Sequence, residues 1–376
     1  MIPISRERPP RLAQEWRGED VPWPVPSGTP GRERHGLPAL RSDGDNPIMT
    51  ECRPNLHGGA GDTPHRQRSL MSKPLAKKTM TIGLIGSRGQ LGSDLLARAP
   101  QQRSPSLEIT PLDRPEFDLT HPQSLAEIRE ARFDLVINTS AYNAVDRAEG
   151  ELRECFELNA FLPGELARAC REAGSALLHF STDYVMSGGI NEREQIPYSE
   201  ESCPRPLSVY GLSKATGERL VLSAWERATV VRTCGLYGGK GSGQKGGNFV
   251  TTMLKLARAG RPLRVIDDCH VGPTSTWDLA EILWRMILEG HPPGLYHLTN
   301  AGRTTWYDFA QKIFALTGTE ADLTPVSLRE YNPPAPRSPY SVLSNDRARQ
   351  QGLSLRDIDS ALEDYLLREG LLKGGV

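Results

Sequence analysis

Thr81-Ile82-Gly83-Leu84-Ile85-Gly86-Ser87-Arg88-Gly89-Gln90-Leu91-Gly92 is the stretch that decides the fold. Its first five residues form a short apolar run that is typical of a buried strand. The glycines follow at a Gly-x-x-Gly-x-x-Gly spacing, and a stripe of leucines at helical spacing comes next. Strand, glycine turn and helix in this order predict a dinucleotide-binding unit. In such a unit Gly86, Gly89 and Gly92 permit a tight turn and let a pyrophosphate approach the helix N-terminus.

Strand-like and helix-like patterns alternate after this stretch. Apolar runs predict strands near Leu107–Asp113, Phe133–Ser140, Ala176–Asp183 and Ala228–Leu236. Helical patterns lie at Pro122–Glu130, Asp146–Ala173 (interrupted near Pro163) and Tyr210–Trp225. This alternation predicts right-handed βαβ units and therefore an α/β fold with a doubly wound, Rossmann-like parallel sheet.

Composition divides the chain into three parts. Residues 1–79 are rich in proline and arginine and lack apolar periodicity, so they predict a disordered extension without a catalytic role. Residues 80–237 carry the alternating pattern and predict the dinucleotide-binding domain. The pattern loosens over residues 238–376, which predict mainly a smaller substrate-binding lobe. Its predicted elements are helices at Asn248–Ala259, Ser275–Leu288, Thr304–Leu316 and Leu355–Arg368 and a strand at Gly294–Thr299.

Charge and hydropathy exclude several classes of function. The chain has 376 residues and a net charge of −1, which provides no general attraction to nucleic acid or to acidic membranes. No apolar run approaches the ~18 residues of a membrane-spanning helix, and the first 30 residues lack the apolar core of a signal peptide. We therefore expect a cytoplasmic protein. Its six cysteines lack CxxC spacing, which predicts free thiols.

The end of the second predicted strand carries residues that bear on the cofactor. Asp113 suits a ribose 2′-hydroxyl and so favours NADH, whereas Arg88 and Arg114 suit a 2′-phosphate and so favour NADPH. Both cofactors stay open. Asp118 and Leu119 either border the adenine or begin the next helix.

Polar residues also follow the third and fourth strands, at the sheet edge where ligands bind in such folds. Ser140-Ala141-Tyr142-Asn143 either contacts a ligand or is an ordinary loop. The hydroxyl of Thr182 is suited to hydrogen-bond a carbonyl that becomes an alkoxide, although threonine is also common in strands. We interpret His179 as a core histidine and not as a base.

Tyr210 and Lys214 lie four residues apart in a predicted helix, so both side chains share one face. A tyrosine has a pKa near ~10, and a neighbouring cation lowers it by favouring the phenolate. The pair therefore predicts an acid–base group that works near neutral pH. The same spacing occurs by chance in ordinary helices, so its weight depends on the upstream motifs.

Taken together, the motifs resemble those of a known family. The glycine turn, Ser-Thr-Asp-Tyr-Val and Tyr-Gly-x-Ser-Lys-x-x-Gly-Glu, in this order, are similar to extended short-chain dehydrogenases/reductases. More narrowly, residues 80 to about 368 resemble the dTDP-4-dehydrorhamnose reductase family. The segments that carry this resemblance are Gly89-Gln90-Leu91-Gly92, Val136-Ile137-Asn138, Ala144-Val145-Asp146-Arg147-Ala148-Glu149, Asn248-Phe249-Val250 and Pro273-Thr274.

The resemblance implies reduction of the C4 keto group of dTDP-4-dehydro-L-rhamnose by NADPH or NADH. Tyr210 would donate the proton, Lys214 would hold the cofactor ribose, and Thr182 would orient the carbonyl. Asp183 would lie at the sugar. The implied cofactor-lining residues are Gly89, Gln90, Leu91, Asp113, Asp118, Leu119, Ala141, Tyr142 and Asn143. A homodimer is also compatible with the family, and no residues with metal-ligand spacing stand out.

The chain departs from the family pattern at two places on the substrate side. Gly235 stands where the family has a tryptophan over the substrate, and Cys269 stands where it has a glutamine. Both changes concern the choice of sugar, and neither touches the hydride chemistry.

Two other functions fit the same scaffold. One is a nucleotide-sugar epimerase or dehydratase, which retains NAD and cycles the hydride internally. The other is a non-catalytic reductase-like subunit that regulates a partner enzyme. The presence of Thr182, Tyr210 and Lys214 together favours the reductase over such a subunit, because a binding module does not need all three.

Overall fold

The computed structural model describes residues 79–100, 105–239 and 247–373. The disordered extension predicted over residues 1–79 lies outside the described residues, except for Thr79 itself. Among the described helices, none is long and apolar enough to cross a bilayer. The five described cysteines are free thiols, as predicted, and four of them are buried; the exposed one is Cys203.

The described residues form one large sheet and several two-stranded sheets. Their strands are numbered in chain order. They are β1 (Thr79–Ile85), β2 (Ser106–Leu112), β3 (Leu135–Asn138), β4 (Ala176–Thr182), β5 (Ala228–Thr233), β6 (Leu236–Tyr237), β7 (Leu263–Ile266), β8 (His270–Val271), β9 (Thr274–Ser275), β10 (Gly294–His297), β11 (Thr304–Thr305) and β12 (Leu323–Val326). Six of them form one sheet in the order β10-β5-β4-β3-β1-β2, and every neighbouring pair in it is parallel. Since the chain leaves β1 first towards β2 and then crosses back to β3, the sheet is doubly wound, as predicted.

Helices connect these strands and extend beyond them. They are α1 (Gln90–Ala97), α2 (Pro122–Ala131), α3 (Val145–Ala148), α4 (Leu152–Phe156), α5 (Leu162–Ala173), α6 (Gly189–Glu194), α7 (Val209–Ala224), α8 (Phe249–Arg258), α9 (Thr276–Glu289), α10 (Trp306–Thr317), α11 (Leu328–Tyr331), α12 (Asp346–Gln350) and α13 (Ile358–Arg368). Most lie within a few residues of the predicted bounds. The helices α6, α11 and α12 and the short strands of the C-terminal half were not predicted.

Both faces of the sheet are covered, which explains the continuous apolar runs of its strands. On one face Leu84 and Ile137 pack in a cluster with residues of α1 and α9. On the other face Ile85 and Val136 pack in a cluster with residues of α2, α5 and α7. Successive residues of one strand thus reach opposite layers, as the pleat of a strand requires.

A third apolar cluster lies in the C-terminal half of the chain and joins α8, α10 and α13 around Phe309 and Leu362. The C-terminal half also supplies β10 to the six-stranded sheet and α9 to its helical layer. Residues beyond 237 therefore contribute to both parts of the fold.

The connection between β3 and β4 differs from the prediction of one helix broken near Pro163. The break is a turn before Leu152, and a π-helical turn occupies Glu157–Phe161 immediately before α5. Proline lacks an N–H and its ring clashes with the carbonyl four residues earlier, here that of Asn159. Widening of the helix at this point accommodates Pro163 without ending the helix.

Candidate active site

A cleft of about 1290 Å³ runs along the carboxyl edge of the large sheet. Residues that follow β1, β2, β3, β4 and β5 line it, so the loops at one edge of the sheet form its walls. Of the site residues that the sequence predicted, Gly92 alone does not line the cleft. The lining residues are Gly86, Gly89, Gln90, Leu91, Asp113, Asp118, Leu119, Ala141, Tyr142, Asn143, Thr182, Asp183, Tyr210 and Lys214.

The glycine turn between β1 and α1 leaves backbone atoms uncovered at one end of the cleft. Gly86 has φ +80°, and a Cβ there would lie 2.7 Å from Thr139 Oγ1. Gly89 precedes α1 in an extended conformation, and no side chain caps the helix N-terminus. Backbone N–H groups at the start of α1 are thus available to an anionic group such as a pyrophosphate.

Gly92 lies under this turn instead of in the cleft. A Cβ on it would collide with the Gly86 carbonyl and would lie 2.7 Å from Ser87 Cα. The third glycine therefore allows α1 to pack closely against the turn.

Gly92→Ala is expected to destabilise the fold by roughly 1–3 kcal/mol, because the methyl group forces the turn away from α1. The same displacement is expected to raise KM for the reduced nicotinamide. Urea unfolding and cofactor titration measure the two effects. Gly150→Ala is the control, since a Cβ at Gly150 has its nearest neighbour at 3.8 Å. Unchanged stability and KM in Gly92→Ala would contradict this account of the turn.

Asp113 follows β2 and holds the glycine turn in place. Its carboxylate accepts hydrogen bonds from the Ser87 hydroxyl and from the Arg88 amide, the latter at 3.2 Å. The side chains of Arg88 and Arg114 are 70% and 67% exposed at the rim of the cleft, and Arg88 Nη1 donates to the Arg114 carbonyl at 3.0 Å. A carboxylate and two guanidinium groups thus meet here, and both cofactors remain compatible with the site.

The segment after β3 is held in place by hydrogen bonds with a buried asparagine. Tyr142 N donates to Asn159 Oδ1, and Asn159 Nδ2 donates to the Tyr142 carbonyl, both at 2.9 Å. Asn159 Nδ2 also donates to Ser213 Oγ on α7 at 3.0 Å. The π-helical turn therefore connects the cleft wall to the helix that carries Tyr210. Sequence reasoning missed Asn159, although Pro163 four residues later marks the irregular helix.

Thr182, Tyr210 and Lys214 come together in the middle of the cleft. Thr182 ends β4, and its hydroxyl is close enough to the Tyr210 phenol to lower the pKa of that phenol. Tyr210 lies in the first turn of α7, where the Ser208 side chain caps the helix by accepting from Gly211 N at 3.1 Å. Lys214 is buried one turn later and donates from Nζ to the Phe180 carbonyl at 2.6 Å.

The electrostatics of Tyr210 differ from the prediction. Burial raises the pKa of its phenol, and the nearby Thr182 hydroxyl only partly offsets this. The expectation that Lys214 lowers the pKa of Tyr210 is wrong, because the Lys214 ammonium is directed to the Phe180 carbonyl and desolvation of the phenol dominates. The phenol consequently stays protonated at neutral pH, as a proton donor must.

The burial of Lys214 predicts that kcat/KM falls at alkaline pH. Burial lowers the pKa of its ammonium from 10.5 to about 8, against the opposing effect of the Glu218 carboxylate. The charged form is complete below this pKa and is lost above it, so kcat/KM is expected to fall as pH rises through about 8. A pH profile of wild type beside Lys214→Arg, which keeps its charge, measures this. A wild-type profile that stays flat through this range would contradict the assignment.

Asp183 lies in the floor of the cleft and is only 2% exposed. Its carboxylate accepts from the Thr182 hydroxyl at 3.0 Å and from Ser341 Oγ at 2.6 Å, and the nearby Cys234 thiol favours the charged form of the carboxylate. Burial raises the pKa of Asp183. This carboxylate orients the Thr182 hydroxyl. The sequence did not indicate the contact with Ser341, because Ser341 is 158 residues away.

A buried charge cluster anchors α7. Arg232 on β5 donates to both carboxylate oxygens of Glu218, at 2.8 and 2.6 Å, and its Nη1 lies 3.2 Å from His297 Nε2. Burial and the Arg232 charge lower the pKa of His297 to about 3, so this histidine is neutral. His179 is also buried and lies 3.3 Å from Asn138 Nδ2, in agreement with its interpretation as a core residue.

The glycine turn, the fixed loop after β3 and the Thr182–Tyr210–Lys214 cluster occupy one edge of a doubly wound sheet. Together they define a nicotinamide-dependent oxidoreductase.

The comparison with protein families is consistent with this class. The chain belongs to the family described as RmlD substrate binding domain, which matches residues 80–370. The resemblance inferred from the motifs is thereby confirmed.

Curated relatives and a solved structure agree with the family. A dTDP-4-dehydrorhamnose reductase of Mycobacterium tuberculosis is 36% identical over 294 residues, which are 78% of this chain and 94% of that protein. A probable dTDP-4,6-dihydroxy-2-methyloxan-3-one 4-ketoreductase of Streptomyces antibioticus is 38% identical over 288 residues, 75% of this chain and 92% of that protein. The crystal structure of a dTDP-4-dehydrorhamnose reductase from Bacillus anthracis in complex with NADP superposes with a TM-score of 0.70 at 29% identity. It covers 77% of this chain and 99% of that one.

Proposed function

We propose that this protein reduces the C4 keto group of dTDP-4-dehydro-L-rhamnose to form dTDP-L-rhamnose, with NADPH or NADH as hydride donor. The observation that carries the proposal is that Thr182, Tyr210 and the buried Lys214 line the same cleft at the carboxyl edge of the sheet. A carbonyl oxygen placed beside the two hydroxyls accepts from Tyr210, and it accepts from Thr182 once that hydroxyl turns its proton away from the Asp183 carboxylate. The family and the relatives described above support the substrate class.

The residues present suit a nicotinamide dinucleotide. Gly86 and Gly89 leave the backbone open where a pyrophosphate binds, and Arg88 and Asp113 suit the adenosine ribose. When bound, the reduced nicotinamide supplies the hydride. The cleft of about 1290 Å³ exceeds the roughly 300–1,000 Å³ of a site for one small ligand, which suits a cofactor together with a nucleotide sugar.

The side chains have separate tasks in the reduction. Thr182 orients the C4 carbonyl and stabilises the charge that develops on its oxygen. Tyr210 donates its phenolic proton to that oxygen, so that C4 gains a hydride, the oxygen gains a proton and an alcohol results. Lys214 provides a buried positive charge for the cofactor ribose, and Asp183 keeps the Thr182 hydroxyl in position.

Incubation of the purified protein with dTDP-4-dehydro-L-rhamnose and each reduced cofactor tests the proposal. We expect stoichiometric loss of reduced-nicotinamide absorbance and dTDP-L-rhamnose as the product. An isomerised or dehydrated sugar without net cofactor consumption would indicate the epimerase or dehydratase instead. Binding without any conversion would indicate a regulatory subunit.

A second candidate substrate is the dTDP-linked ketone named for the Streptomyces antibioticus relative. That relative is 38% identical to this chain, against 36% for the M. tuberculosis reductase, so identity does not separate the two sugars. The departures at Gly235 and Cys269, which both line the cleft, favour keeping this candidate. Comparison of kcat/KM for the two ketones decides between them.

We also propose that residues 80–237 mainly bind the cofactor and residues 238–376 mainly bind the substrate, in a cytoplasmic homodimer. The glycine turn, Thr182 and Tyr210 all lie in the first range, which supports the division. Light scattering of the purified protein tests the oligomeric state.

A further inference from the structure

Two aromatic rings line the cleft on the substrate side. Trp306 is the first residue of α10, and Phe249 is the first residue of α8. Both line the cleft and both are only partly buried. Their ring centroids lie 4.6 Å apart at an interplanar angle of 41°, so the two rings form one continuous apolar surface. We refer to Trp306 and Phe249 as the aromatic wall.

Gly235 creates the space for this wall. It adopts φ +49°, and a Cβ there would lie 2.8 Å from Trp306 Cη2 and 3.4 Å from Pro273 Cα. The indole therefore lies directly against the backbone at Gly235, and any side chain at that position would displace it. A residue without a side chain and a tryptophan 71 positions later thus form a single packing unit.

The position of Gly235 places the aromatic wall beside the reacting carbonyl. β4 and β5 pair in a register that sets Thr182 opposite Thr233, two residues before Gly235. Neighbouring strands lie about 4.8 Å apart. Cys234, between Thr233 and Gly235, is close enough to Asp183 for each group to shift the pKa of the other, and Asp183 accepts a hydrogen bond from Thr182. The glycine turn that suits the cofactor follows β1, which is separated from β5 in the sheet by β3 and β4.

We propose that Trp306, seated on Gly235, binds the deoxysugar ring of the substrate and determines affinity for it, with Phe249 supporting the indole. This inference rests on the proposed function. The C–H face and the methyl group of a 6-deoxysugar are apolar and suit an aromatic surface, whereas a diphosphate or a ribose does not.

Steady-state kinetics of Trp306→Ala, Trp306→Phe and wild type test the proposal. Trp306→Ala is expected to raise KM for the dTDP-ketosugar about tenfold, with less than about a twofold change in KM for NADPH and in the inhibition constant of dTDP. Trp306→Phe is expected to lie between wild type and Trp306→Ala. Trp277→Phe is the control, since Trp277 packs between Arg98 and Arg368 and does not line the cleft.

The outcomes separate this inference from the proposed function. Wild type that reduces neither dTDP-ketosugar overturns the proposed function before any variant is compared. Active wild type with an unchanged KM in Trp306→Ala overturns only the role of Trp306. An equal rise in KM and in the dTDP inhibition constant also overturns it, because the indole would then hold the nucleotide.

A double-mutant cycle tests whether Gly235 and Trp306 act as one unit. Gly235→Ala alone is expected to raise KM for the ketosugar as Trp306→Ala does, because its methyl group displaces the indole. In KM for the ketosugar, Gly235→Ala/Trp306→Ala is expected to match Trp306→Ala, since the displaced ring is already absent; the strain of alanine at φ +49° is expected to lower the unfolding temperature of both Gly235 variants. Additive losses in the double variant would show that the two positions act independently and would overturn the proposal. Thermal unfolding of each variant verifies that it is folded.

Discussion

Tyr210→Phe is expected to lower kcat by about 10²–10⁴-fold while cofactor affinity changes by less than about twofold. The substitution removes the phenolic proton but keeps the ring and its edge-to-face contact with Tyr184, at a centroid distance of 5.4 Å. Because burial raises the pKa of this phenol, it is protonated at neutral pH, and its loss removes a donor present in nearly every molecule. Ketosugar reduction and NADPH titration measure the two effects.

Tyr307→Phe provides the matched control. Tyr307 lies on α10 with its hydroxyl accepting from Gln311 Nε2 at 3.2 Å, and it does not line the cleft. We expect wild-type kinetics from this variant. Wild-type kcat in Tyr210→Phe would mean that another group supplies the proton.

Lys214→Met is expected to lower kcat and to raise KM for the reduced cofactor, each about tenfold or more. The methionine side chain has a similar length, so it fills the space while removing the ammonium that donates to the Phe180 carbonyl. Loss of a hydrogen bond from a charged group costs roughly 1.5–3 kcal/mol, which corresponds to about a ten- to hundredfold effect. Steady-state kinetics with the cofactor varied separate the two parameters.

Lys312→Met controls for the loss of a lysine in general. Lys312 is 42% exposed and pairs with Asp359 on the surface. If Lys214→Met lowered kcat but kept the wild-type KM for cofactor, the lysine would act on the proton donor alone. Wild-type values for both parameters would exclude Lys214 from the site.

The local sequence pattern was sufficient to predict the large sheet and most residues of the candidate site. Strand Thr79–Ile85, its glycine turn and α1 follow from an apolar run, three glycines and a helical stripe within twenty residues. Parallel strands place their carboxyl ends at one edge of the sheet. Asn143 after β3, Thr182 at the end of β4 and Tyr210 at the start of α7 were therefore expected to meet there. Such features depend on near neighbours in the chain and on general rules of connection.

Contacts between distant segments could not be predicted from the sequence. Nothing in the sequence near Asp183 indicates Ser341, and nothing near Gly235 indicates Trp306, because these partners meet only when α10 and the loop after α11 pack against the sheet. The ladder that brings β10 to β5 and Arg232 to His297 is of the same kind.

The direction of the Tyr210 pKa shift shows most clearly how the information in the sequence differs from that in the tertiary structure. Sequence spacing by itself determined that Tyr210 and Lys214 share one face of a helix, because that follows from 3.6 residues per turn. Only the tertiary structure decided that the lysine bonds the Phe180 carbonyl and that burial dominates the phenol. The physical reason is that desolvation depends on every atom packed around a group, and most of those atoms come from elsewhere in the chain.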